Sequence, residues 1–334
     1  MSHCAHFPRV GKPIILTTLT AAILIAASIL TVEAQTFTQS STLAGVWASS
    51  TTWADIDGDG DPDLLVTGLT GPAETCSPLT QLYVNQGGVL SASTDSFENI
   101  HLGQAAFGDY DGDGDLDLAL SGATASGIGT LKLYENSGGS FTEDLSQTAL
   151  LAENLRYSAI AWGDLDNDGD LDLIASGITT AGNPRTVLFR NGRIDAGRTG
   201  SPLGGFPIFA VDEPNSDRLI NLYGGRLAWG DLDGDGDLDL AATGYGTDGS
   251  RQAVIYLNEP LGTLVQDTGN TDLTPVSGGD LAWADYDNDG DTDLVLSGWN
   301  ASWEATLQLF TNAAGILRED RFFSATRVAG SIAW

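Results

Sequence analysis

The sequence predicts an all-β protein, a β-propeller of four-stranded antiparallel blades, on three observations. One acidic cassette recurs five times at a nearly constant spacing, each copy sits among short apolar runs of strand length, and glycine, at 42 of 334 residues, suits many tight turns. The copies read WADIDGDGDPDLLVTG (53–68), FGDYDGDGDLDLALSG (107–122), WGDLDNDGDLDLIASG (162–177), WGDLDGDGDLDLAATG (229–244) and WADYDNDGDTDLVLSG (283–298). Successive starts lie 54, 55, 67 and 54 residues apart. Such a period belongs to a propeller or a solenoid, not to independent domains.

Each period holds four short strands. An apolar run such as SAIAW (158–162) or GRLAW (225–229) leads into the acidic loop, and LDLxxSG leads out of it. The third strand reads QLYVN (81–85), LKLYEN (131–136), TVLFRN (186–191), AVIYLN (253–258) or TLQLFTN (306–312). A turn then gives a weaker outer strand, as in SFTED (140–144) and ILRED (316–320). Four antiparallel strands per period make a propeller blade, whereas solenoid repeats are usually shorter and pair in parallel. TFTQ (36–39) resembles the outer segment SFTE (140–143) and could complete a last blade, hiding the edges of a ring. Residues 328–334 repeat the first-strand segment, and Trp334 falls 51 residues after Trp283. A sixth blade is therefore expected to start there, with the natural chain running on to a six- or seven-bladed ring.

The chain carries 45 Asp and Glu against 14 Lys and Arg, a net charge of −31 and a pI of about 4.1. That balance excludes a sequence-independent grip on nucleic acid and docking on anionic lipid. At 42% hydrophobic and 18% charged residues, it is not the composition of a disordered acidic tail. Arg9 and Lys12 precede an uncharged apolar or small run, Ile14 to Val32, and Val32-Glu33-Ala34 sets small residues at −3 and −1 before Gln35. Residues 1–34 thus read as a signal peptide and 35–334 as the propeller, secreted to the exterior or the cell surface without membrane insertion after cleavage. A retained anchor of about 17–19 apolar residues is the competing reading; the cleavage pattern favours the signal. Cleavage removes Cys4 and leaves Cys76 alone, so no internal disulfide is expected and Cys76 reads as a loop residue.

Every cassette contains D-x-D-x-D-G-D-x-D. With the first Asp as position one, carboxylates fall at positions one, three, five and nine, and glycine at six permits the sharp bend. Hard oxygen ligands in that number suit Ca²⁺; zinc and copper would call for His or Cys, and magnesium for fewer protein ligands. Position twelve is Val66, Leu120, Ala175, Ala242 or Leu296 and not the acid of an EF-hand, because the chain has already become a strand. A solvated acidic turn is the plainer reading, but five Asp in nine residues repel one another without a cation. The loops hold 25 of the 45 acids, and five Ca²⁺ would bring −31 to −21.

These cassettes, with the L-x-x-[ST]-G that follows, resemble the FG-GAP/VCBS repeats of the integrin α-subunit propeller and of many secreted bacterial proteins. The resemblance spans nearly the whole chain after the leader. It implies calcium ligation by the side chains at one, three, five and nine and by the carbonyl at seven. The side-chain ligands would be Asp55, Asp57, Asp59 and Asp63; Asp109, Asp111, Asp113 and Asp117; Asp164, Asp166, Asp168 and Asp172; Asp231, Asp233, Asp235 and Asp239; and Asp285, Asp287, Asp289 and Asp293. The carbonyls would be those of Asp61, Asp115, Asp170, Asp237 and Asp291. The family's Gly-Ala-Pro element is absent, which favours the bacterial type over the integrin type.

Catalysis finds no clear carrier. His101 is the only histidine after the leader, no G-x-S-x-G turn occurs, and the conspicuous carboxylates are committed to the loops, so no enzymatic activity is expected. Trp299 and Trp303 in GWNASWEA (298–305) could stack on a sugar, although packing against the neighbouring blade is the plainer expectation; Asn300–Ser302 is also a glycosylation sequon. Residues 185–226 contain six of the eleven Arg that follow the leader and are expected to pair with acidic blades. The function expected is that of a secreted calcium-binding propeller acting as an adhesion or ligand-binding module for an extracellular protein or glycan. The alternatives are a non-catalytic propeller part of a secreted polysaccharide-active enzyme and a structural surface protein.

Overall fold

The runs marked as strands form five separate sheets in a computed structural model that describes residues 43–192 and 209–320. The leader, the segment at 36–39 and the expected sixth blade at 328–334 lie outside the described residues. Blade one comprises β1 (Val46–Ala54), β2 (Asp63–Thr70), β3 (Ser77–Gln86) and β4 (Val89–Ala92). Blade two comprises β5 (His101–Gly108), β6 (Asp117–Ala123), β7 (Gly129–Ser137) and β8 (Ser140–Glu143), with a single helical turn α1 (Thr148–Leu151) after it. Blade three has β9 (Arg156–Gly163), β10 (Asp172–Ile178), β11 (Pro184–Asn191) and β12 (Phe209–Val211), followed by the turn α2 (Glu213–Ser216). Blade four has β13 (Leu227–Gly230), β14 (Asp239–Tyr245), β15 (Arg251–Asn258) and β16 (Leu264–Gln266). Blade five has β17 (Leu281–Ala284), β18 (Asp293–Trp299), β19 (Ala305–Ala313) and β20 (Ile316–Glu319). In each sheet the four strands pair antiparallel in chain order, as a propeller meander requires.

The core lies between blades, not within them. Second strands are buried on both faces, so they read as continuous apolar runs (DLALSGA in β6) and not as alternation. One cluster joins blades one and two through Ile56, Leu65, Leu82, Ile100 and Leu118. The next joins blades two and three through Tyr110, Leu133, Leu173 and Phe189, and two more join blades three to four and four to five. The first strands β1, β5, β9, β13 and β17 pack each on the next, and no comparable packing joins β17 to β1 among the described residues. Accordingly Trp53 of blade one is 57% exposed and Tyr286 of blade five 44%, whereas their counterparts Trp162 and Tyr110 lie between blades.

The aromatic that opens each cassette explains the small residue after it. Trp162 Nε1 donates to the Ala106 carbonyl of the preceding blade at 3.2 Å, and Trp283 Nε1 to that of Ala228 at 3.2 Å. A Cβ on Gly163 would sit 2.7 Å from the Trp229 ring, and one on Gly230 2.5 Å from Trp283. Blade one has Ala54 at the equivalent place, and there the next blade supplies the smaller ring of Phe107. Gly163→Ala is therefore expected to destabilise by about 1–3 kcal/mol through overpacking, and adding Trp229→Phe should recover part of that loss. Denaturant unfolding of the two single variants and the double variant measures the coupling; strictly additive losses would contradict the contact.

Candidate metal centre

Each acidic loop is wound by its own carboxylates. The position-six glycines sit at φ of 92° to 99° in the left-handed region, where a side chain would be strained. Their N–H groups donate to the position-one carboxylate in every blade, as Gly60 does to Asp55 Oδ2 at 2.9 Å and Gly169 to Asp164 Oδ2 at 2.9 Å. The position-five carboxylates of Asp59, Asp113, Asp168, Asp235 and Asp289 accept the N–H two residues on, as Asn and Asp do in tight turns. These bonds curl the chain so that carboxylate oxygens converge. Oxygens of Asp55, Asp57 and Asp63 lie within 4.8 Å of one another, as do those of Asp109, Asp111 and Asp117, and of Asp231, Asp233 and Asp239. Glu259, which the sequence did not mark, joins Asp233 and Asp235 in a further set.

In four blades the position-seven side chains turn away from these centres. Asp61, Asp115 and Asp291 accept the N–H of Gly87, Gly138 and Ala314 in the hairpin between third and fourth strands, at 2.7 to 3.0 Å. Asp237 instead accepts from Asn167 Nδ2 of the neighbouring loop at 2.7 Å. In those four blades the backbone carbonyl at that position is what is left for a cation.

Position nine is the buried member. Asp63, Asp117, Asp172, Asp239 and Asp293 are almost wholly inaccessible. One oxygen of each accepts the N–H of position two, from Ile56, Tyr110, Leu165, Leu232 and Tyr286 respectively. The other accepts the N–H of an asparagine that ends the third strand, namely Asn85, Asn136, Asn191, Asn258 and Asn312. That asparagine also reaches across the blade interface. Asn136 Nδ2 donates to the Ile56 carbonyl at 2.8 Å, Asn191 to Tyr110 at 2.7 Å, Asn258 to Leu165 at 2.7 Å and Asn312 to Leu232 at 2.6 Å. The position-two peptide of one blade is thus gripped by its own aspartate and by the next blade's asparagine.

The electrostatics favour a cation in such a site. Burial is the leading cause that pushes the Asp117 and Asp172 carboxyls up to about 7 and Asp239 to about 6, against the backbone N–H bonds that lower them. Asp57, Asp233 and Asp287 are also raised, first by desolvation and further by neighbouring carboxylates. Asp55 Oδ1 is buried without a hydrogen-bond partner beside Asp57 and Asp63. A buried oxygen with free lone pairs amid other carboxylates fits a hard divalent cation such as Ca²⁺.

The third loop differs. Asp164, Asp166 and Asp168 form a close carboxylate set in it, and the Arg190 guanidinium stands against positions three and nine. Arg190 Nη1 is 2.7 Å from Asp166 and 3.3 Å from Asp172, while Nε is 3.0 Å from Asp212. Arg185 pairs with Glu153 at 2.9 Å and Arg226 with Asp280 at 3.2 Å, so three of the four described arginines of the basic segment, with Arg190, pair with acidic neighbours, while Arg218 donates to Asn215.

The antiparallel meander puts the turns between second and third strands at the end opposite the acidic loops. There Trp303 is 68% exposed and Trp299 36%. Trp303 sits at φ 58° in a tight turn closed by the Trp303 N–H to the Asn300 carbonyl. The Arg251 guanidinium lies 4.3 Å from the Trp303 ring centre and 5.0 Å from that of Tyr245, which stacks on Tyr223. His101 begins β5, with its pKa lowered by burial and its Nδ1 without a hydrogen-bond partner.

Position nine and position three should therefore separate in mutagenesis. Asp117→Ala strands the N–H groups of Tyr110 and Asn136, at about 1–3 kcal/mol for each buried donor. Asp111→Ala removes an outer carboxylate and should change stability in chelator by less than about 1 kcal/mol. Urea unfolding in excess chelator reads both; equal losses would show that position nine has no special structural part.

Residues 109–175 and 231–296 match the family described as FG-GAP-like repeat, each span running from the first Asp of one acidic loop through the next loop. No curated protein matches the sequence. Two solved structures are similar in overall architecture. A thermostable family-43 glycoside hydrolase is 11% identical, with 84% of this chain and 95% of that chain covered at a TM-score of 0.42. The GH43_1 enzyme from Xanthomonas citri, complexed with xylotriose, is 12% identical, with 83% and 91% covered at 0.40. Both are enzymes, and on that finding the expectation that the chain has no enzymatic activity is corrected and withdrawn. They bring no residue's role to this chain, and the propeller assignment rests on the five sheets themselves. The family match is to the repeat and not to any one group of proteins that bear it: the chain carries FG-GAP-like repeats over 109–175 and 231–296.

Proposed function

We propose that this chain is a secreted propeller whose acidic loops bind calcium and whose opposite end binds an extracellular protein or glycan. The observation that carries the calcium reading is the buried, unpartnered Asp55 Oδ1 within a close set of carboxylates. Bound calcium would supply the positive charge that keeps positions one, three, five and nine ionised at close range. The chain's own part is to hold the oxygens ready. Position one accepts the glycine N–H, position five closes the turn, and position nine ties the loop to the third strand. Because the position-two peptide is shared with the next blade, ordering a loop also orders a blade interface.

The ligand reading rests on the distribution of side chains between the two ends. The acidic end is crowded with carboxylates, whereas the other end offers Trp299, Trp303 and the Tyr245–Arg251 pair. Exposed indole faces beside a cation suit stacking on sugar rings or binding an acidic peptide segment. The leader at 1–34 would deliver the protein to the exterior, where calcium is abundant enough for sites of about 10⁻⁴–10⁻³ M.

Two measurements test this reading. Calcium at a hundredfold excess over Kd should contribute about 2.7 kcal/mol per occupied site, so the melting temperature should rise by at least about 5 °C and fall again in chelator. An identical melt in both conditions contradicts calcium binding. A glycan and protein array probed with the wild type and with Trp303→Ala should lose its signals in the variant, and assaying the bound glycans for cleavage decides whether recognition is accompanied by hydrolysis. Signals that persist in the variant would place the ligand site elsewhere.

A further inference from the structure

We infer that the third acidic loop is held by Arg190 in place of calcium, so that this protein binds one calcium fewer than its number of acidic loops. The inference rests on the calcium reading of the other loops. The residue before the third-strand asparagine is Val84, Glu135, Leu257 or Thr311 in the other blades and arginine only in blade three. Its guanidinium meets positions three and nine of its own loop, at 2.7 Å from Asp166 and 3.3 Å from Asp172. These are two of the four carboxylates that a calcium ion would need.

The guanidinium is held there from outside the loop as well. Nε faces Asp212 at 3.0 Å, and Nη2 donates to the Gly262 carbonyl in blade four at 2.7 Å. Asp212 is itself fixed, because it caps α2 through the Asn215 N–H at 3.0 Å and accepts from Asn215 Nδ2 at 2.7 Å. Asp212 follows the fourth strand directly, its N–H bonded to the Leu188 carbonyl of the third strand at 2.8 Å, as Asp144 and Asp267 do in blades two and four; the arginine is what distinguishes blade three. A Cβ on Gly262 would lie 3.1 Å from Arg190 Nη2 and 3.4 Å from Asp166 Cβ, which leaves the guanidinium little room on that side.

The consequence for a metal is direct. Calcium needs oxygen lone pairs, and an N–H donor aimed at the Asp166 and Asp172 oxygens competes for them. A fixed positive charge a few ångströms from the loop centre also repels the ion. The carboxylate sets agree. Loops one, two and four each bring position nine into a close set with positions one and three, whereas loop three gathers positions one, three and five and sets the arginine on Asp172.

Calcium stoichiometry of the full chain decides the point, read by native mass spectrometry and by isothermal titration with calcium chloride. Among the five loops of this sequence, four ions are expected for the wild type and five for Arg190→Gln. Asp166→Asn should still bind four, whereas Asp111→Asn should bind three. Five ions in the wild type, or a loss of one ion in Asp166→Asn, would overturn the inference and leave the calcium reading intact. No bound ions at all would overturn the calcium reading and this inference with it. If Arg190→Gln does not fold, the Asp166→Asn comparison is decisive by itself.

Discussion

The aspartate at position nine and the asparagine at the end of the third strand form the joint on which each blade depends. A buried carboxylate is costly unless its oxygens are satisfied, and here each oxygen accepts a backbone N–H from a different part of the blade. In Asp117 these donors are Tyr110, in the loop, and Asn136, in the third strand. The asparagine then donates to the loop of the preceding blade, so one pair of side chains ties loop, sheet and neighbour together. The hydrophobic layers between blades are large but non-directional; the Asp–Asn joint sets the register at which they meet.

Charge follows from this arrangement. Four carboxylates must stay close because the joint and the glycine turn hold them there, so the repulsion is built into the folded state. A divalent ion relieves it in the proposed reading, and in blade three an arginine anchored by Asp212 and Gly262 relieves it from within the chain. In that reading the acidic loops are one device with two kinds of counter-charge. The opposite end, free of this crowding, carries the exposed indoles.

Much of this was legible in the sequence. The cassette spacing predicted the five sheets and their strand order, because each loop sits at a fixed place between first and second strands. The asparagine stood in view at the end of VN, EN, RN, LN and TN, yet it read only as a strand ending. Its partners across the interface lie 80 to 93 residues away, and no local pattern shows them. The position-seven aspartates read as carbonyl donors, and their side-chain work in the adjoining hairpin emerged only with the fold. Arg190 was visible as part of a basic segment, but which acids it meets depends on the pairing of β11 with β12 and on the loop folding back to the third strand, which bring Asp212, Asp166 and Asp172 around it. Trp303 was expected to pack against a neighbouring blade; its ring does meet Arg251 of blade four, yet its turn, at φ 58°, leaves most of it exposed to solvent.

The central claim is that loop order and blade packing are one equilibrium, joined through the position-two peptide. Amide hydrogen exchange, resolved to single residues and compared in calcium and in chelator, tests it most directly. The N–H groups of Tyr110 and Leu232, bonded to Asp117 and Asp239, should lose protection together with Asn136 and Asn258 when calcium is removed. Those of Leu165 and Asn191, in the arginine-held loop, should change least. If chelation exposes only the outer residues of the loops while these buried amides keep their protection, the loops and the interfaces are independent and the account fails.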